Sequence, residues 1–415
     1  MGGRRRWGYA ARRVPVIAAV LTVAGLAGFT IASNTLKVDE PSGPRLVTSA
    51  DFRTAPDTPA GRQIATEDDA WIASGTDPGA GTPWADMSYW ALRDIRALWA
   101  DHTLPPAGAA PQWEYFWPRD GSFLAVALDR TGHPDEVQRI LQGMAELPFD
   151  RGKGFDARYT LSGDTVTDRP RGPQSDGCGW VLWAIGTIRA NDQTALPDST
   201  EELRDRCVTH LDRLTSSGTR LPPPSPDYWE VKVTTVSLGT VAPMTAGLLA
   251  ATDDYDAIGE PVKAAAARVT AEGLDAAMRL RFSPDYERFG DLGELDAAIT
   301  FLMPPFAAET PEVAQRWSDY QIDALRPAGG LAPGAGWKED GTSWTPETAL
   351  AAYTAAASGR TEEAARWLDW LDEHRASWGS LPEKVTGTAL PAGPAPLIWT
   401  DALVLLTIAE LNPAP

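Results

Sequence analysis

Histidine is scarce in this chain, and cysteine is scarcer. The four histidines, His102, His133, His210 and His374, form no ligand pair at i,i+4, and His133 sits in a Gly-His-Pro turn. The two cysteines, Cys178 and Cys207, make no Cys/His metal spacing. A Gly-x-Ser-x-Gly elbow and a phosphate-binding glycine loop are both missing. No metal and no cofactor are therefore implied. Positive charge is also short, with 37 Lys and Arg against 56 Asp and Glu and a net charge of −19. A nucleic-acid backbone would be repelled, so no nucleic-acid partner is expected. A neutral carbohydrate partner is compatible with this charge, and so is plain solubility. Strand-like alternation is rare, and no Ser/Thr-rich spacer divides the chain.

One stretch departs from the acidic background. Arg4, Arg5, Arg6, Arg12 and Arg13 precede Val14 to Ser33, twenty residues without a charge. That length can span a bilayer core. Arginines ahead of it predict a cytoplasmic N-terminus and a body outside the cytoplasm. A cleaved signal peptide is the competing reading, with Thr30-Ile31-Ala32 as a poor cleavage site, and the Arg-Arg pairs also permit twin-arginine export. Residues 1–33 are thus expected to be a signal anchor or signal peptide. Residues 34–65, with Pro41, Pro44, Pro56 and Pro59, are expected to be an extracytoplasmic linker. Residues 66–412 then form one domain, expected to act as a monomer attached to the membrane through its N-terminal segment.

From residue 82 the chain reads as helices between loops rich in Pro and Gly. The expected helices are 82–100, 118–132, 134–147, 175–191, 199–217, 234–257, 259–282, 293–306, 309–325, 342–359, 361–376 and 396–411. Ser199-Thr200-Glu201-Glu202, Thr310-Pro311-Glu312 and Thr361-Glu362-Glu363 resemble helix N-termini. Segments 175–191, 234–257, 293–306, 342–359 and 396–411 are apolar or small nearly all round. Segments 199–217, 259–282, 309–325 and 361–376 carry charge on one face. A helix apolar all round is buried on every side, and a one-sided helix covers it. Twelve helices alternating inner and outer describe an all-α (α/α)6 barrel. Cys178 and Cys207 fall on neighbouring helices with an offset of about 7.5 Å along the axis. That offset strains disulfide geometry, so free thiols are expected.

In such a barrel the loops before the inner helices gather at one end, and the unusual residues lie there. Glu230 ends Asp227-Tyr228-Trp229-Glu230, and Glu383 lies in Leu381-Pro382-Glu383-Lys384. Aromatic surface favours a protonated carboxyl, which suits Glu230 as a general acid; an adjacent lysine favours a carboxylate, which suits Glu383 as a general base. Each glutamate alone is more simply a helix-start or surface-turn acid. Trp117-Pro118-Arg119-Asp120 opens a helix, and Trp113, Tyr115, Phe116 and Trp117 crowd just before it. A ring face, a rigid donor fork and a carboxylate acceptor are what a sugar needs to be held. Of seventeen tryptophans, Trp113, Trp117, Trp180, Trp183, Trp229, Trp337, Trp344 and Trp399 lie in or beside these loops. Trp180 and Trp183 belong to the expected core of an inner helix.

Taken in order, these motifs resemble glycoside hydrolase family 15, the glucoamylase-like family, over roughly residues 66–412. The matching segments are Trp117-Pro118-Arg119-Asp120, Gly132-His133-Pro134-Asp135-Glu136, Gln174-Ser175-Asp176-Gly177 and Trp180-Val181-Leu182-Trp183. Asp227-Tyr228-Trp229-Glu230, Trp337 with Glu339-Asp340 and Trp344, and Leu381-Pro382-Glu383 with Leu397-Ile398-Trp399 follow. The resemblance implies an exo-acting, inverting hydrolase releasing terminal glucose from α-glucosides. Glu230 would protonate the glycosidic oxygen and Glu383 would activate water on the opposite face. Trp113, Tyr115, Trp117, Arg119, Asp120, Gln174, Asp176, Trp229, Trp337, Lys338 and Trp399 would bind substrate.

The departures surround the sugar. Val231 replaces a common second acid, Gly336 a common arginine with Lys338 as its possible substitute, Lys384 a common glutamine, and Trp113 a usual tyrosine. No segment resembles a β-sandwich or a starch-binding module, so raw starch is not the expected target. A trehalose- or dextran-directed hydrolase and a non-catalytic glycan-binding barrel stay open as alternatives. A phosphorylase would need a cationic phosphate site, and Val231 to Leu238 supplies only Lys232.

Overall fold

The structure is a computed structural model that describes residues 45–53, 58–99, 102–192 and 194–413. They belong to the unit Gly43–Pro415. Its α-helices are α1 (Pro59–Ser74), α2 (Ala85–Trp99), α3 (Pro118–Arg130), α4 (Pro134–Glu146), α5 (Gly177–Asn191) and α6 (Ser199–Thr215). They continue with α7 (Leu238–Ala257), α8 (Pro261–Phe282), α9 (Pro311–Asp323), α10 (Thr345–Ala357), α11 (Thr361–Glu373) and α12 (Ile398–Leu411). Proline stands in the first turn of α1, α3, α4, α8, α9 and α10. There its missing N–H leaves nothing unpaired and its fixed φ favours the helix. Thr310 caps α9 by accepting a bond from the Val313 amide at 3.3 Å.

Helices α3, α5, α7, α10 and α12 and a short 3-10 helix, Ala297–Leu302, close into an inner ring. Around it, α3 packs on α5, α5 on α7, α10 on α12 and α12 on α3, and the 3-10 helix bridges α7 and α10. Outside the ring, α2 covers α12, α4 covers α3, α6 covers α5, α8 covers α7, α9 covers the 3-10 helix and α11 covers α10. The arrangement is an α/α barrel of six inner and six outer elements. Helices α5 and α7 approach unusually closely. A methyl group on Gly247 would collide with the Gly179 carbonyl, so this contact depends on glycine. The apolar filling includes Phe123, Trp180, Phe301 and Phe306, whose rings meet at 4.7 to 6.0 Å.

Two expectations are corrected. The inner helix expected at 293–306 is only the 3-10 helix. Asp296, held by Arg288 at 3.0 Å, fixes an extended residue before Ala297. Pro304 and Pro305 then supply no amide donors to continue a helix. The expected linker 34–65 is also too long. The Val47 amide donates to the Gly393 carbonyl at 3.0 Å and the Gly393 amide donates to the Arg45 carbonyl at 2.8 Å, and α1 begins at Pro59 and packs on α2. Proline-rich composition concealed α1 because its prolines lie at its start, where helices tolerate them. The expected membrane segment 14–33 lies outside the described residues. Among the described residues no helix is long and apolar enough to cross a membrane. Cys178 and Cys207 are buried and free.

Candidate active site

Three segments build the site. The first is the start of α3. Trp117 stands before the helix in extended backbone, and Pro118 sets the first turn. Arg119 and Asp120 therefore leave the helix at its N-terminal end, where both are buried. Arg119 Nε donates to Asp120 Oδ1 at 3.0 Å, and its guanidinium lies 4.6 Å from the centre of the Trp399 ring. Burial pushes the Asp120 carboxyl up, against the opposing pull of Arg119.

The second segment is a tight turn from Asp227 to Glu230, closed by the Glu230 amide on the Asp227 carbonyl at 2.7 Å. Glu230 has φ of 52°, in the left-handed region that a non-glycine residue holds only when its surroundings enforce it. The enforcement is visible. Asp227 Oδ1 accepts from the Trp229 amide at 3.0 Å and from Arg288 at 2.6 Å. Asp227 Oδ2 accepts from Ser237 at 2.6 Å. The Arg288 guanidinium stacks 3.7 Å from the Trp229 ring centre. The Glu230 carboxylate then meets Trp117 Nε1 at 2.5 Å and forms an ion pair with Arg171.

The third segment carries Glu383 into a small antiparallel sheet of β1 (Ser343–Trp344), β2 (Lys384–Val385) and β3 (Pro391–Ala392). The Glu383 amide donates to Pro394 at 2.8 Å and its carbonyl accepts from the Thr345 amide at 3.0 Å, so its backbone is fixed on both sides. Gly393 faces the carboxylate so closely that a Cβ there would lie 2.7 Å from Oε2. Trp113 Nε1 donates to Oε1 at 3.2 Å, and Lys384 Nζ lies 2.9 Å from Oε2.

These segments enclose one cavity with about 230 Å³ of water-accessible space. Sites for drug-sized ligands run roughly 300–1,000 Å³, so this one is sized for a small ligand portion. Of the residues singled out in the sequence, Glu230, Glu383, Trp113, Trp117, Arg119, Asp120, Trp229 and Trp399 line it. Tyr115, Gln174, Asp176, Trp337 and Lys338 do not. Tyr115 packs edge-on to Trp117 at 6.3 Å and supports it from behind. Gln174 is buried, and Asp176, at the start of α5, accepts from Trp180 Nε1 at 3.2 Å. Trp337 lies behind Trp229 at 4.6 Å, and Lys338 is exposed. The cavity wall carries buried polar atoms that have no hydrogen-bond partner among the described residues: the indole nitrogens of Trp229, Trp344 and Trp399, Arg119 Nη1 and Glu347 Oε2. Such groups call for a ligand rich in donors and acceptors.

Sequence reasoning missed Arg171, Gln112, Trp344 as a wall residue, and Glu347. Glu347 had a signal: it is an acid in the first turn of α10, a helix otherwise apolar on every side. It is buried, and that burial, with the nearby Glu383 charge, pushes its carboxyl up to about 8. Burial likewise raises Asp176 to about 7. The fold therefore holds these protons more tightly than the unfolded chain does. Their ionisation costs stability as pH rises from the ordinary carboxyl range towards 8, and nothing is lost below that range. The melting temperature is expected to be lower near pH 8.5 than near pH 5.5. Glu347→Gln should flatten that slope, and an unchanged slope would refute a protonated Glu347.

No family model matches the chain. An isomaltose glucohydrolase of Kribbella flavida is 26% identical over 344 residues, covering 72% of this chain and 86% of the relative. A solved wild-type glycosidase superposes with a TM-score of 0.66 at 21% identity, covering 80% of this chain and 98% of that one. A bacterial glucoamylase complexed with acarbose superposes with a TM-score of 0.65 at 14% identity, covering 82% of this chain and 57% of that one. The fold is the helical barrel of these glycosidases.

Proposed function

We propose that the protein is an exo-acting, inverting hydrolase that removes terminal glucose from α-glucosides. One observation carries the reading: Glu230 and Glu383 line the same cavity from separate, rigidly held loops, each with a different charged partner. Arg119 and Asp120 hold hydroxyls of the terminal sugar at the cavity floor, and the tryptophans wall its faces. Glu230 gives its proton to the glycosidic oxygen as the bond to the anomeric carbon breaks. Glu383 takes a proton from the water that attacks that carbon from the opposite side. The products are β-glucose and the free alcohol of the leaving group. A cavity of this size accepts a chain end rather than a chain interior, which supports exo action.

The name of the Kribbella flavida relative makes isomaltose the first substrate to try. The purified protein should be incubated with isomaltose, maltose, trehalose and maltooligosaccharides while the released anomer is followed by NMR. β-Glucose as the first product is expected. α-Glucose as the first product would overturn inversion, and no release from any of these would overturn neutral di- and oligosaccharides as substrates.

A further inference from the structure

We infer that the leaving-group side of the cavity recognises a negatively charged aglycone, a carboxylate or a phosphate ester, and that Arg171 determines this specificity. The inference rests on the hydrolase reading above. The chain as a whole is strongly acidic, yet two arginines, Arg119 and Arg171, line the cavity. Arg171 lines the cavity with its side chain 44% exposed, and it pairs with Glu230 Oε2. The backbone on both sides of it is tied down: Arg158 Nη2 donates to the Arg169 carbonyl at 2.9 Å, and the Ala157 amide donates to the Gly172 carbonyl at 2.8 Å. Arg158 is itself buried against the Tyr115 ring at 4.0 Å, and among the described residues it forms no ion pair. Its hydrogen bonds go to backbone carbonyls. Of the two arginines that line the cavity, Arg119 is buried against Asp120, so Arg171 is the exposed one, and Glu230 is its ion-pair partner.

That pairing disfavours a neutral leaving group, which does nothing to draw Arg171 away. A carboxylate locked to arginine has no proton to give. The residue that follows Glu230 is Val231, 39% exposed, so no second acid stands beside it in sequence. An anionic aglycone draws Arg171 away. Its carboxylate or phosphate takes the planar donor fork of Arg171, which suits bidentate oxygen acceptors. Glu230 is then released from the ion pair, takes a proton from solvent and delivers it to the glycosidic oxygen. The substrate's own charge thereby arms the acid.

Matched substrates test this. Isomaltose and maltose are compared with the aldonates made by oxidising their reducing ends, and with α-glucosyl glycerol against α-glucosyl glycerol phosphate. Each anionic member should show kcat/KM about tenfold or more above its neutral partner at low salt, with the advantage shrinking as salt rises. Whether the aldonates or the phosphate ester gain more identifies the anion. In Arg171→Met the advantage should vanish, and in Arg171→Glu it should reverse. Equal rates for neutral and anionic partners, or a preference that survives Arg171→Met, would overturn the inference while leaving the hydrolase reading intact. If no substrate is cleaved, the hydrolase reading falls. Calorimetric binding of the aldonate and its neutral parent to Glu383→Gln then still decides the charge preference, because it needs no turnover.

Discussion

Glu383→Gln is expected to lower kcat by about 10²- to 10⁴-fold, the usual contribution of a positioned general base. Glutamine keeps the shape of the side chain but cannot accept the proton of the attacking water. The fold should be unaffected, because Glu383 is anchored through its backbone, by Pro394 on one side and Thr345 on the other. Glu230→Gln is expected to give a similar loss on disaccharides, for a different reason. It leaves the departing oxygen unprotonated. The two variants are separated by a substrate whose leaving group needs no proton, such as α-glucosyl fluoride. Glu230→Gln should recover much of its rate on that substrate, and Glu383→Gln should not. Wild-type rates on disaccharides in both variants would remove the catalytic assignment altogether.

The division between what was readable and what was hidden follows from the range of the interactions. Helices α5, α7, α10 and α12 were legible because a segment apolar on every side has few other places to go than the inside of a barrel. Their outer partners were legible from one-sided charge. The 3-10 helix was not, because its length is limited by Asp296, whose conformation is set by Arg288 across a turn. Helix α1 was hidden by prolines that mark both linkers and helix starts. At the site, Trp117, Arg119, Asp120, Glu230 and Glu383 were singled out because each sits in an unusual local cluster. Arg171 was not, since nothing within its own loop distinguishes it. Its partner lies 59 positions away in sequence and only folding joins them. The reverse error explains Lys338 and Trp337. They carry the right residue types, yet the turn at Gly334 to Trp337 places the lysine in solvent and the tryptophan behind Trp229. Asp176 has the right chemistry as well, but its bond to Trp180 spends it on holding the start of α5.

Arg288→Met is expected to be the most destabilising single change near the site, by about 3–5 kcal/mol. Arg288 is buried between Asp227 and Asp296, with bonds of 2.6 and 3.0 Å and almost no exposure of any of the three side chains. Removing its charge leaves two carboxylates in a dry interior, where Asp296 is already pushed up to about 6 by burial despite the arginine. The same change removes the stack on Trp229 and one of the bonds that holds Asp227, so the strained φ of Glu230 loses part of its enforcement. Stability and catalysis should therefore separate on repair. Asp227→Asn and Asp296→Asn added to Arg288→Met neutralise the stranded charges, and the triple variant should regain most of the lost stability in urea unfolding. It should not regain kcat, because neutral side chains do not rebuild the charged clamp beneath Trp229 and Glu230. A triple variant that recovered both would show that the Asp227–Arg288–Asp296 network serves stability alone. One that recovered stability without rate would show that the network exists to hold Glu230 in a backbone conformation it would not otherwise keep.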